Sequence, residues 1–116
     1  MRDLVRAAKA LSDETRLRIL NLLLERECCV CEVMQVLGIS QTRASRNLNI
    51  LLDAGFLKMR KEGLWAYFSI DAIDPDNYIS LFVKAIEREL KNNKVAILDK
   101  EHLKKAERLG PEPCCK

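Results

Sequence analysis

Aromatic residues are scarce in this chain: one Trp, two Tyr and three Phe, 5% of 116 residues. Any core must therefore be built mainly from Leu, Ile and Val. His102 is the single histidine, and the sequence has no metalloprotease motif, glycine-rich phosphate loop or paired acid–base constellation. No Cys is followed by Arg at the spacing of an anion-cradling loop. A thioredoxin-like use of Cys28-x-x-Cys31 would need a βαβ setting, which the pattern lacks. These absences argue against an enzyme. The apolar stretches fall far short of the roughly 20 residues that cross a bilayer. The opening Met1-Arg2-Asp3-Leu4 carries no apolar run like that of a signal peptide. A cytoplasmic protein without membrane association is expected.

The length suits one domain with a short tail, and an apolar fraction of 48% is ordinary for a globular chain. So small a domain leaves apolar surface uncovered, which favours a dimer. Five cysteines, at 28, 29, 31, 114 and 115, occur without a secretion signal. Clustered thiols in a reducing compartment serve metal binding or redox chemistry more often than disulfide scaffolding. The net charge is +3, and residues 40–70 account for all of it, with Arg43, Arg46, Lys58, Arg60 and Lys61 set against Asp53 and Glu62. A neutral body with one basic segment suits contact with phosphates at one surface.

Periodicity gives a mainly α chain with a small β-hairpin. A short helix runs from Leu4 to Ala10. Ser12 caps a second, to about Glu25, with acid in its first turn. A third covers roughly Val30 to Leu37 and stops at Gly38. Ser40 caps a fourth, to about Ala54, in which Ala44, Leu48 and Leu51 face the core. Two helices joined by about three residues with a glycine have helix-turn-helix spacing. Phe56–Arg60 and Leu64–Ile70 read as strands around a Lys61-Glu62-Gly63 tip. Asp74-Pro75 reads as the start of a helix to about Lys91. Asn92-Asn93 breaks it before a polar segment, Val95 to Leu109. Gly110-Pro111-Glu112-Pro113 then leaves Cys114 and Cys115 on a flexible tail.

On the fourth helix, Thr42, Arg43, Arg46 and Asn49 lie opposite the core. Together with Ser40, Gln41 and Ser45 they form the expected DNA-facing set, since arginine forks onto guanine and Asn or Gln onto adenine, and a helix N-terminus accepts a phosphate. Arg60 and Lys61 on the wing would meet backbone or minor groove. Trp65 and Met34 read as packing residues and His102 as surface. Among the thiols, soft sulfur selects soft or borderline acceptors. On a regular helix Cys28 and Cys31 share a face, but Cys29 and Cys31 point about 200° apart. Binding by all three would then distort the first turn of that helix and tilt the recognition helix beside it.

The element order α-α-α-α-β-β-α-α, with a turn and a wing, resembles the ArsR/SmtB family of winged-helix repressors. The likeness rests on the run Leu11-Ser12-Asp13-Glu14-Thr15-Arg16-Leu17-Arg18-Ile19-Leu20 and on the box Glu27-Cys28-Cys29-Val30-Cys31-Glu32-Val33. It also rests on Ser40-Gln41 with Ser45, Leu48 and Leu51, and on the wing Arg60-Lys61-Glu62-Gly63-Leu64-Trp65-Ala66-Tyr67. It spans about residues 4–90. Met34 stands where the arsenic-type box has a further cysteine, Cys28 replaces a leucine of the box, and Asn47 stands where histidine is common.

The resemblance implies a homodimer on double-stranded, inverted-repeat operator DNA, with Leu4, Val5, Ala8, Tyr78, Leu81, Phe82, Ala85 and Ile86 at the dimer interface. Recognition helices would lie about 34 Å apart. It also implies release by As(III) or Sb(III) on thiolates drawn from Cys28, Cys29, Cys31, Cys114 and Cys115, with no organic cofactor. The alternatives are a sensor of Cd(II), Pb(II) or Zn(II), or a thiol redox or persulfide sensor. Residues 1–109 are expected to form the DNA-binding and dimerisation domain, and residues 110–116 the tail.

Overall fold

The computed structural model describes residues 1–107. Its elements are α1 (Arg2–Leu11), α2 (Glu14–Glu25), β1 (Cys28–Cys29), α3 (Val30–Leu37), α4 (Gln41–Asp53), β2 (Leu57–Glu62), β3 (Trp65–Ile70), α5 (Tyr78–Leu90) and α6 (Lys94–Lys105). The three strands form one antiparallel sheet in the order β1-β3-β2. This is a winged helix-turn-helix, mainly α, as the periodicity predicts. Expectations for Leu109, the 110–116 tail, Cys114 and Cys115 lie outside the described residues.

Local chemistry accounts for most of the boundaries. Asp13, not Ser12, caps α2, its carboxylate accepting from the Arg16 N–H at 3.1 Å, while Ser12 closes α1. Gly38 ends α3 at φ 65, the left-handed conformation that glycine adopts without a Cβ penalty. Ser40 caps α4, accepting from the Arg43 N–H at 3.2 Å. The wing tip is Gly63-Leu64 rather than Lys61-Glu62-Gly63, because β2 stays paired to β3 as far as Glu62↔Trp65. Gly63 at φ 62 supplies the positive φ that such a two-residue hairpin requires. Asp74 initiates a turn instead of a helix, its side chain accepting from the Asp76 N–H at 3.0 Å. The helix α5 therefore starts three residues after Pro75, capped by Asn77.

The core is aliphatic. Ile19, Leu20 and Leu22 of α2, Leu48 and Leu51 of α4, and Phe56 are fully buried together, with Leu103 of α6 closing the far side. Removing such side chains from water contributes about 1.5–3 kcal/mol each. The helix α6 is fastened to α2 by Asp99, 2% exposed, which accepts from Arg18 Nε at 2.8 Å and Nη2 at 2.9 Å. This pairing holds Arg18 protonated above its ordinary range, the Asp99 hydrogen bond being the largest cause. On α5, Ile79 and Val83 point into the core, and Tyr78, Phe82 and Ile86 pack half-buried against it. Three of the eight residues expected at the dimer interface thus have an intramolecular role. Leu81 and Ala85 on α5, with Leu4, Val5 and Ala8 on α1, stay exposed.

Candidate nucleic-acid interface and thiol site

Burial of Ala44, Leu48 and Leu51 turns the other side of α4 outward. Thr42, Arg43, Arg46 and Asn49 are exposed, as is Ser40, and Gln41 and Ser45 are half-buried. The expected DNA-facing residues of α4 therefore share one accessible surface. Two residues that the sequence did not flag hold α4 in place. Arg16 of α2 donates through Nε to the Ala10 carbonyl at 2.7 Å and through Nη1 to Asn47 Oδ1 at 3.0 Å. Asn47 Nδ2 in turn donates to the Arg43 carbonyl at 3.0 Å. The available signal was Arg16's position: a cation in the first turn of a helix opposes the helix dipole, so it needs another partner.

The two basic wing residues differ in their surroundings. Lys61 is exposed. Arg60 instead forms a fork onto Glu27, Nη2 to Oε1 at 2.6 Å and Nε to Oε2 at 3.1 Å, and donates from Nη1 to Glu62 at 2.7 Å. These carboxylates raise its pKa above the ordinary arginine value, Glu27 most strongly. Its guanidinium also lies 4.5 Å from the Tyr67 ring centroid. In the DNA-free chain this side chain is therefore engaged with the wing and with Glu27.

The thiol cluster differs from a regular helical arrangement. Cys28 and Cys29 form strand β1, paired with β3 in the register Cys28↔Phe68 and Cys29↔Tyr67. Successive strand residues face opposite ways. Cys28 accordingly packs into the main core, its Sγ 3.6 Å from the Arg26 carbonyl, whereas Cys29 turns the other way. Cys29 is also the extended N-cap of α3, at φ −92 and ψ 170. Its side chain therefore does not follow helical spacing, and its sulfur lies 2.6 Å from that of Cys31. The expected 200° conflict between Cys29 and Cys31 is thus absent. Cys28, not Cys29, is the cysteine set apart.

Cys29 and Cys31 sit in a small cluster with Tyr67, flanked by Met34 and Trp65. Tyr67 and Trp65 stack with ring centroids 6.1 Å apart. Beneath the pair lies Glu32, 1% exposed, which accepts from the Cys29 N–H at 3.0 Å and pairs with Arg26 Nη1 at 2.5 Å. Arg26 also donates to the Leu103 carbonyl at 3.3 Å. Further along α3, Gln35 lies one turn beyond Cys31 on the same side. It exchanges two hydrogen bonds with the Glu107 backbone, at 2.6 and 3.1 Å. Among the described residues no group of three or more His, Cys, Asp or Glu side chains is arranged to hold a metal ion. His102 is exposed on α6. No described helix is long and apolar enough to cross a membrane.

A short helix, a glycine turn, a capped second helix with an exposed polar face and a β-hairpin beside it define a winged helix-turn-helix regulator. Residues 13–59 match the model of the bacterial regulatory protein family arsR. An arsenical resistance operon repressor of Bacillus subtilis is 33% identical over 73 residues, 62% of this chain and 70% of that protein. This chain belongs to the arsR family. A cadmium resistance transcriptional regulatory protein CadC homolog of Staphylococcus aureus is 44% identical over 70 residues, 60% of this chain. The match spans 58% of that relative's length. Among solved structures, the homodimeric winged helix-turn-helix domain of a possible ArsR-family regulator from Mycobacterium bovis aligns with a TM-score of 0.65. The identity there is 28%, over 80% of this chain and 82% of the other.

Proposed function

We propose that this chain is a homodimeric transcriptional repressor that binds an inverted-repeat operator and is released when As(III) or Sb(III) binds its cysteine thiolates. The observation that carries the reading is the buried Cys29–Cys31 pair, with sulfurs 2.6 Å apart, at the junction of β1 and α3. Two converging soft donors fit a thiophilic ligand, and the junction adjoins both halves of the DNA-binding surface. Gln41, Thr42, Arg43, Ser45, Arg46 and Asn49 enter the major groove. Ser40 and the start of α4 meet phosphate, and Lys61 meets the adjacent backbone. Leu4, Val5, Ala8, Leu81 and Ala85 provide the exposed part of the dimer interface. The homodimeric Mycobacterium bovis relative supports that assembly. The role is regulatory, not enzymatic, and cytoplasmic.

Burial supplies the switch. Cys29 is 0% and Cys31 1% exposed, so a ligand reaches them only if the side chains packed around the pair, Met34, Trp65 and Tyr67, give way. Strand β3 is half of the wing. Its Tyr67, opposite Cys29, contacts Arg60, which is held by Glu27 just upstream of β1. Ligand entry and wing displacement are therefore one motion, in addition to any tilt passed from α3 to α4.

A third donor comes from the tail, residues 110–116. The bonds between Gln35 and Glu107 bring the chain past one turn from Cys31, and the seven residues to Cys114 can span about 24 Å. Either Cys114 or Cys115 completes a three-sulfur set. The second reading, a site for Cd(II), Pb(II) or Zn(II), is favoured by the similarity to a cadmium resistance regulator. For Zn(II) or Cd(II) it needs a fourth ligand for tetrahedral geometry.

Counting the cysteines that lose reactivity toward a thiol reagent separates the two. Saturation with As(III) should protect three per protomer, including Cys29 and Cys31. Protection of four by Cd(II), with none by As(III), would move the protein to the divalent-metal reading.

A further inference from the structure

Summed over residues 1–39 the charge is zero, six cations against six acids, although α1 itself carries Arg2, Arg6 and Lys9 against Asp3 alone. The fold sorts these charges. Positions 2, 6 and 9 fall on one stripe of a helix. That stripe lines a cleft of about 490 Å³ whose opposite wall is Arg16 of α2 and Ile50 of α4. Ile50 follows Arg43 and Arg46 at helical spacing, so the exposed side of the recognition helix runs directly into the cleft. Arg43 also touches Thr15 Oγ1 at 3.4 Å, beside Arg16. The basic surface therefore runs from α4 past Thr15 and Arg16 to α1, with Asp13 as the acid beside Arg16.

The pattern of pairing distinguishes these cations from others in the chain. Arg18, Arg26 and Arg60 are all paired with carboxylates. Among the described residues, Arg2, Arg6 and Lys9 have no ion-pair partner and are exposed. Arg16 is the anchored member, with Asp13 3.9 Å away. Leu4 and Ala8 lie more than about 100° round the helix from the stripe, whereas Val5, also proposed for the dimer interface, lines the same cleft and marks where the two surfaces meet. From Arg2 to Lys9 the helix advances roughly 10 Å, comparable with the axial advance of about three phosphates on one DNA strand.

We infer that the α1 stripe Arg2, Arg6 and Lys9 is a second DNA-contact element, which grips the phosphate backbone flanking the bases approached by α4. This rests on the DNA-binding reading above. The stripe takes phosphates without regard to sequence, extending the footprint beyond helix and wing. An open cleft edged by three exposed cations and continuous with α4 fits a running backbone better than a small anion, which needs enclosure.

The test uses the full chain and a fluorescently labelled duplex of arbitrary sequence, with anisotropy read from about 50 to 200 mM salt. Each lost phosphate contact lowers the magnitude of the log–log salt slope by about one. The variant R2A/R6A/K9A should flatten the slope by two to three such steps and weaken binding near 0.15 M by roughly 100-fold. The charge-conserving R2K/R6K/K9R should retain the wild-type slope. Sedimentation and thermal unfolding check that both variants keep the wild-type assembly and fold. An unchanged slope in R2A/R6A/K9A overturns the inference. So does a loss that R2K/R6K/K9R shares, because that loss would be structural. A wild-type chain that binds no duplex at any salt concentration overturns the DNA-binding reading itself, a different failure.

Discussion

Replacing Glu32 gives a sharp test of how the thiol pair is held. Its carboxylate is almost fully buried and serves two partners, the Cys29 N–H and Arg26. In Glu32→Ala the buried N–H at the start of α3 loses its acceptor, which costs about 1–3 kcal/mol. The Arg26 term is smaller. Its side chain is 37% exposed and can turn to water, so the lost pair counts for about 1 kcal/mol or less. The expected total is about 1–4 kcal/mol, which for a domain of this size lowers Tm by about 4–16 °C. Glu32→Gln keeps an oxygen for the Cys29 N–H and gives up only the charge, so it should cost about 1 kcal/mol. Urea and thermal unfolding followed by circular dichroism measure both variants. Glu32→Ala within about 0.5 kcal/mol of wild type, the ordinary range for a neutral surface change, would refute the reasoning. So would a Gln variant as damaged as the Ala variant.

Three further expectations concern other parts of the molecule. Asp99→Ala strands Arg18 and loosens α6, costing about 2–3 kcal/mol; hydrogen exchange should accelerate in α6 first, and uniform protection would contradict this. Arg46→Ala should cost about 1–3 kcal/mol in operator binding and relax the preference at one base pair; unchanged affinity would remove Arg46 from the interface. Arg60→Ala should leave operator affinity in place but weaken inducer release. Lost affinity with normal release would return Arg60 to the phosphate contacts.

The helix-turn-helix was legible because its signals are local. The Ser40 cap, the Gly38 stop and the spacing of Ala44, Leu48 and Leu51 all lie within one stretch of chain. Strand β1 was not, since two residues carry no periodicity and become a strand only by pairing with β3, nearly forty residues away. That omission misplaced the cysteines: treated as helical, Cys29 and Cys31 diverge, whereas the extended N-cap brings them together. The surroundings of Arg60 were hidden for a related reason. A basic residue on a wing suggests phosphate until Glu27, distant in sequence, is found beneath it. The α1 stripe was hidden by summation, because the six cations of residues 1–39 are balanced by six acids, five of them outside α1. Legibility ended where function depends on tertiary pairing.

The central claim is that a thiophilic ligand at the Cys29–Cys31 pair releases DNA. Fluorescence anisotropy of a labelled inverted-repeat duplex selected for binding to the full chain, titrated with As(III), tests it most directly. The account predicts release near one equivalent per protomer in the wild type. It also predicts that Cys31→Ser binds the duplex normally and keeps it at the same As(III) concentration. A wild-type complex that survives saturating As(III), or a Cys31→Ser complex released as readily as wild type, would contradict it.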